Sequence, residues 1–323
     1  MTRVAAIDCG TNSIRLLVAD IDIDTDAKAA GPTDVTRRME IVRLGEGVDR
    51  TGRFAPAALT RTFAACAGYA KVIEASGAER VRFVATSASR DVGNREEFAA
   101  GVRAALGVDP EVITGDEEAA LSFAGATREL LGADYRTPFL VVDIGGGSTE
   151  LVLGDSSVQE ARSVDVGCVR MTERHLHDDP PMPGQVEAAR ADIEAAIADA
   201  ASTVSLDRAA TLVGLAGSVT TVAAMALDLG AYLPERIHRS RITAGQVHSV
   251  STRLLAMSRT ERAALPFMHP GRVDVIGAGA LILACVLDAV SVDDLVASEH
   301  DILDGIAMSL VSPASPASPA SPA

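Results

Sequence analysis

The stretch VVDIGGGSTELVLGD, residues 141–155, sets a carboxylate, Asp143, at the end of an apolar run. Three glycines, two hydroxyls and a second carboxylate, Glu150, follow. Three consecutive glycines cost backbone entropy and supply no packing, so the pattern points to a use of the backbone itself. Gly145, Gly146 and Gly147 let successive N–H groups face one anion, as a concave nest does, and Ser148 and Thr149 add hydroxyl donors. Asp143 cannot hold a phosphate directly; it is placed to hold Mg²⁺ or a water beside one. Glu150 lies seven residues further on, across the hairpin. Taken alone, a glycine-rich turn with a capping Asp would read the same way. The design recurs in IDCGTNS, at Asp8, Gly10, Thr11, Asn12 and Ser13, and the recurrence favours phosphate binding.

Three further stretches carry candidate chemistry. VGLAGSVTT runs a strand into Gly217, Ser218 and Thr220 at a helix start, where free N–H groups bind phosphate. An ordinary N-cap explains it equally well. ITGDEEAALSF puts Asp116, Glu117 and Glu118 in the first turn of a helix. Two readings stand there: favourable placement at the positive end of the helix dipole, or one carboxylate leaning into a cleft to orient water. VATSASRDVGN supplies Arg90 after a buried strand, either to neutralise phosphate charge or to form a surface ion pair. No GxxxxGK[ST] run is present, nor a dinucleotide fingerprint opening a βαβ unit.

The elements that must position these residues repeat. Over residues 1–133 the apolar periodicity predicts the order β-β-β-α-β-α-β-α, with EVIT as a strand and GDEEAALSFAGATRELLG as a helix. From PFLVVDI onward the pattern starts again, and each half opens on an Asp, Gly-rich turn, Ser/Thr hairpin. Two similar α/β domains, 1–133 and 134–311, are expected to face each other across a cleft, with the last helix free to pack on the first domain. SPASPASPASPA, from residue 312, cannot bury a core and is expected to be a disordered tail.

Composition limits the partners. The chain has 323 residues, 48% of them hydrophobic, and a formal charge of −15, which disfavours passive binding to nucleic acid or to an anionic membrane. Anionic substrates must then be caught by local donors. Only Lys28 and Lys71 are lysines, so nearly all cationic charge is arginine. Arg236, His238, Arg239 and Arg241 in ERIHRSR form either a basic track or a solvated charge run. Cys9, Cys66, Cys168 and Cys285 are scattered without a CxxC pair, which suits a reducing cytoplasm and neither zinc nor disulfides. No signal peptide and no apolar segment of membrane-spanning length are expected.

In order along the chain, AAIDCGTNSIRLLVAD, VRLGEGVD, VATSASRDVGN, ITGDEEAALSF, VVDIGGGSTELVLGD, GCVRMTE, VGLAGSVTT and HPGRVDVIGAGALIL together resemble the exopolyphosphatase/guanosine pentaphosphate phosphatase (Ppx/GppA) family, in its short actinobacterial form. The resemblance implies the actin, hexokinase and heat-shock 70 fold, with two ribonuclease-H-like domains flanking the active site. It implies Mg²⁺-dependent hydrolysis of terminal orthophosphate from inorganic polyphosphate, with short chains expected here. By the same resemblance Glu118 is the water-activating base, and Asp143 and Glu150 are metal and water ligands. Arg90, Asn12, Ser13, Gly145, Gly146, Gly147, Ser148 and a second arginine, Arg272, hold phosphate. The family is commonly dimeric. Hydrolysis of pppGpp, a non-catalytic alarmone sensor and an ATP-dependent kinase are the rival readings. EHDILDGIA departs from the family's Gly-Leu-Arg-Glu-Gly run, with Asp301 and Leu303 at its Gly and Arg. No further His follows His300 and Asp301 to complete a set of His and Asp partners, so that pair is expected to hold no metal.

Overall fold

The computed structural model describes residues 1–22, 31–90 and 92–311; the Ser-Pro-Ala repeat lies outside them. The β-branched and aliphatic runs at the N-terminus pair first with their sequence neighbours. β1 (Thr2–Cys9), β2 (Ser13–Ile21) and β3 (Thr33–Ile41) form an antiparallel meander. β4 (Arg80–Ala85) then joins β1 in parallel, and β5 (Glu111–Val112), shorter than EVIT suggests, joins β4. Parallel pairing needs a crossover, which the helix Pro56–Ser76 supplies between β3 and β4.

The second half repeats the plan. β6 (Phe139–Ile144), β7 (Thr149–Gly154) and β8 (Val158–Val164) form the meander, and β9 (Thr211–Leu215) runs parallel to β6. β10 (Arg241–Thr243) and β11 (Asp294–Ala297) complete the sheet, β11 parallel to β9 and β10 antiparallel at the edge. The orders β3-β2-β1-β4-β5 and β8-β7-β6-β9-β11-β10 agree strand for strand until the added edge. This is the ribonuclease-H-like order twice over, and the pair of sheets makes the actin/hexokinase-like fold.

Two helices tie the halves together by exchange. The helix Gly115–Thr127, capped by the Thr114 hydroxyl, belongs to the first half in sequence. Its Ala119, Phe123 and Ala126 nevertheless pack on Val141, Val152 and Val213 of the second sheet. The helix Ile302–Ser309 comes after the second sheet, yet its Ile302, Leu303 and Ile306 cover Val4, Ala6 and Leu17 of the first. The two helices meet through glycine: a Cβ on Gly125 would drive into the Asp301 carbonyl, and one on Gly305 into that of Leu121. Their backbones touch, and that contact fixes Glu118 at one helix start relative to Asp301 at the other. On the far face of the first sheet, buried Tyr69 donates its hydroxyl to the Ile14 carbonyl at 2.9 Å, holding the first residues of β2. Among the described residues no helix is long and apolar enough to cross a membrane.

Candidate active site

Both hairpins place their charged residues by register. Asp8 lies opposite Arg15, and Asp143 opposite Glu150. Directly opposed residues of an antiparallel pair project from one face, so each pair presents its side chains together. Each turn is closed by the same bond, Gly10 N–H to the Ser13 carbonyl and Gly145 N–H to the Ser148 carbonyl, both at 3.0 Å.

None of the three consecutive glycines adopts a left-handed backbone; they are there for close approach. A Cβ on Gly146 would lie 2.8 Å from Thr11 Cβ and 3.3 Å from the Asn12 nitrogen, and one on Gly147 would lie 2.7 Å from Thr11 Oγ1. The two turns therefore meet tip to tip, with the Thr11 hydroxyl 3.0 Å from that of Ser87. Among the described residues the N–H groups of Thr11, Asn12, Gly146 and Gly147 donate to no protein atom. Thr11, Asn12 and Gly146 border the cavity and can offer theirs to a ligand, whereas Gly147, expected at the phosphate, is buried behind the lining.

Behind the tips the two pairs differ in charge. Arg15 donates to Asp8 at 2.7 and 3.0 Å and also to Asp301. Burial pushes the Asp8 carboxyl up, with Arg15 pulling the other way. Burial also works against Asp301, but Arg15 and Arg37 outweigh it and hold that carboxyl below the usual range. The Asp301 side chain further accepts the Leu303 N–H at 2.9 Å, capping the helix that follows.

Asp143 and Glu150, 8% and 1% exposed, have no such cation between them. Ser122 donates to Asp143 Oδ2 at 2.9 Å, and Ser148 and Ser163 donate to Glu150 Oε1 at 2.8 and 2.7 Å. Burial first, then the charges of Glu150 and Asp301, push Asp143 up to about 7; burial raises Glu150 as well. Two buried carboxylates on facing residues, of which Glu150 raises Asp143, are oxygen-only donors of the kind that fits a hard divalent cation such as Mg²⁺. Of the two positions expected to ligate metal, Asp143 borders the cavity and Glu150, directly opposite it in the hairpin, is buried outside the lining.

Glu118, 7% exposed, lines the same cavity. Arg90 is bonded to Glu118 Oε2 and to the Ile113 carbonyl, 3.2 Å away. It is not part of the cavity lining, so the structure brings Arg90 to the expected base rather than to the phosphate position. From the opposite wall come Gly217 and Ser218, in the first turn of the helix Ala216–Ala226. Ala216 holds φ at 66°, a strained value for a residue with a Cβ, and this turn aims the helix start at the cavity. Arg272 lies against Gly217, where a Cβ would collide with its guanidinium, and donates to Thr221 Oγ1 at 3.2 Å.

Asp8, Thr11, Asn12, Ser13, Glu118, Asp143, Gly145, Gly146, Ser148, Gly217, Ser218 and Arg272 all border one cavity of about 100 Å³. That volume suits a single phosphoryl group with a few waters. A second hollow of about 580 Å³ opens from it through Arg15, Met39, Ala216, Gly217 and Arg272, with Arg37 and Arg38 on its walls. Arg15, Ser122, Ser163 and Asp301 escaped the sequence reading. Arg15 alone had a local signal, since it follows Asp8 by the same seven residues that separate Glu150 from Asp143. Of the basic run, Arg239 and Arg241 stack on the Tyr135 ring, 5.6 and 5.4 Å from its centre.

The chain is similar to known proteins over nearly all of its length. The profile described as the Ppx/GppA phosphatase family matches residues 23–313. Exopolyphosphatase 2 of Mycobacterium tuberculosis is 52% identical over 320 residues, covering 96% of this chain and 99% of its own. The crystal structure of an exopolyphosphatase-like protein superposes with a TM-score of 0.91 at 44% identity, covering 96% and 97% of the two chains. A crystal structure of the Aquifex aeolicus Ppx/GppA family member gives 0.78 at 31% identity, again covering 96% and 97%.

Proposed function

Because this chain belongs to the Ppx/GppA phosphatase family, we propose that it is an exopolyphosphatase, a phosphoanhydride hydrolase that releases terminal orthophosphate from inorganic polyphosphate. The observation that carries this reading is one cavity bordered by the acids Glu118 and Asp143 and by Thr11, Asn12 and Gly146 of two touching turns, whose N–H groups donate to no protein atom among the described residues. The N–H groups of Thr11, Asn12 and Gly146 bind the terminal phosphoryl group, and Arg272 and the start of the helix Ala216–Ala226 bind the next oxygens. The cavity admits one such group, so the remainder of the chain extends into the adjoining hollow past Arg37 and Arg38.

Asp143 and Glu150 would hold Mg²⁺, which when bound supplies positive charge against the phosphoryl oxygens. Glu118, oriented by Arg90, accepts a proton from the attacking water through its second carboxylate oxygen. Ser122 and Ser163 fix the two acidic side chains, of which Asp143 borders the cavity and Glu150 is buried outside its lining. Four buried, unpaired thiols suit a reducing cytoplasm, and a homodimer is the expected assembly.

The test is phosphate release from polyphosphates of defined length, with pppGpp and ATP alongside, in Mg²⁺ and in chelator. Glu118→Gln is expected to bind polyphosphate but to lose on the order of 10² to 10⁴ in turnover. Parental turnover in that variant would overturn the assignment of the base, and faster release from pppGpp would replace polyphosphate as the substrate.

A further inference from the structure

Away from the cleft, Glu129, His238 and His300 converge from three elements. Glu129 follows the helix Gly115–Thr127, His238 precedes β10, and His300 follows β11. Their nearest donor atoms lie within 4.8 Å of one another. His238 Nε2 is 3.0 Å from one Glu129 oxygen and His300 Nδ1 3.6 Å from the other, and the two imidazole rings stack with centres 4.6 Å apart. The partners of His300 are therefore upstream in the sequence, 171 and 62 residues away, where no local spacing points to them.

We propose that these three residues form a binding site for a borderline divalent cation, Zn²⁺ above all, separate from the Asp143–Glu150 pair. Two imidazole nitrogens and one carboxylate oxygen are the ligand types zinc takes, with a fourth position open to water. At zinc–ligand bonds of about 2.0–2.1 Å, tetrahedral donors stand roughly 3.3 Å apart, so small side-chain rotations close the set. All three side chains reach solvent, with 41%, 21% and 33% exposure for Glu129, His238 and His300, so an ion has a path in. The oxygen-only pair in the cleft suits a harder cation, so the two sites differ in the metal they select.

Occupancy is coupled to the cleft. The Glu299 N–H donates to His238 Nδ1 at 3.2 Å, so the neutral ring carries its proton on Nε2 and gives it to Glu129. A cation on Nε2 moves that one proton to Nδ1, where it confronts the Glu299 N–H; two donors cannot share the contact. The backbone at Glu299 must turn away. The Glu299 carboxylate accepts the Tyr232 hydroxyl at 2.7 Å, next to Arg272, and Asp301 two residues on holds Arg15. The cation thus opposes the wall conformation described above.

The experiment titrates Zn²⁺ into the full chain in excess Mg²⁺ against a chromophoric chelator, repeats it with Co²⁺ to read visible absorption, and follows phosphate release in parallel. The parent is expected to take one more zinc than the His238→Ala/His300→Ala double variant, with the intense absorption of tetrahedral cobalt. Glu129→Gln, which keeps shape, is expected to bind more than about tenfold weaker. Zinc is expected to slow phosphate release about fivefold in the parent and not in the double variant, the low end of ordinary coupling between sites. Equal zinc uptake by parent and double variant, both folded by their melting curves, would overturn the site. Uptake lost in the variant with identical inhibition in both would overturn the coupling.

Discussion

Asp8 and Arg15 occupy in the first hairpin the places that Asp143 and Glu150 occupy in the second, with the same seven-residue spacing, the same facing register and the same bond across the turn. The first pair is neutralised internally, because Arg15 bridges Asp8 and Asp301. The second pair is two buried acids held only by hydroxyls, with Asp143 pushed up to about 7. One backbone design thus yields a fastener in one half and a pair of uncompensated buried acids in the other. A single residue type, arginine or glutamate, decides which.

Variants that touch this difference should rank by whether they remove chemistry or support. Asp143→Asn and Glu150→Gln are expected to abolish phosphate release, by on the order of 10³ or more, with stability retained or raised in the absence of metal. A phosphate-release assay beside a melting curve separates the two effects. Arg15→Met strands Asp8 and Asp301, and a loss of about 3–5 kcal/mol in urea unfolding is expected. Adding Asp8→Asn should recover part of that loss, since it removes one of the two stranded charges.

The acidity of Asp143 gives a pH test with a definite sign. Its folded value is raised from 3.8 to about 7, so the metal-free fold binds more protons than the unfolded chain between those values. Stability is full below about pH 4 on this account and falls as pH rises through about 7, by at most roughly 4 kcal/mol. Denaturant titrations in chelator should show that fall, Mg²⁺ should cancel it, and Asp143→Asn should flatten it; a chelated parent that gains stability over this range would contradict the frustrated-pair account. The smallest effect is expected from Gly146→Ala. Its methyl meets Thr11 Cβ at 2.8 Å, parting the two tips at a cost of about 1–3 kcal/mol and raising KM more than it lowers kcat.

What could be read from the sequence was local. Each hairpin, the repeat of the two halves and the acidic first turn of the helix at 115 are written in contiguous residues whose period and turn chemistry identify them. The three glycines were legible as a site but not in their full reason, because the neighbour they make room for, Thr11, is 135 residues away. Arg90 was expected at the phosphate and instead holds Glu118, a choice between two anions that only the folded cleft decides. Asp301 looked like a departure from a pattern; in the structure it caps a helix and supplies the second acceptor for Arg15. Ser122 and Ser163 are ordinary residues made functional by where β8 and the helix Gly115–Thr127 place them.

The exchange of helices between the halves bears on how the chain is made. Val4, Ala6 and Leu17 leave the ribosome nearly 300 residues ahead of the helix that covers them, Ile302–Ser309. The first half therefore cannot complete its own core during synthesis, unlike a domain that folds as it appears. Until then an apolar sheet face is open to other nascent chains and to chaperones, and it is covered only when the helix Ile302–Ser309 arrives.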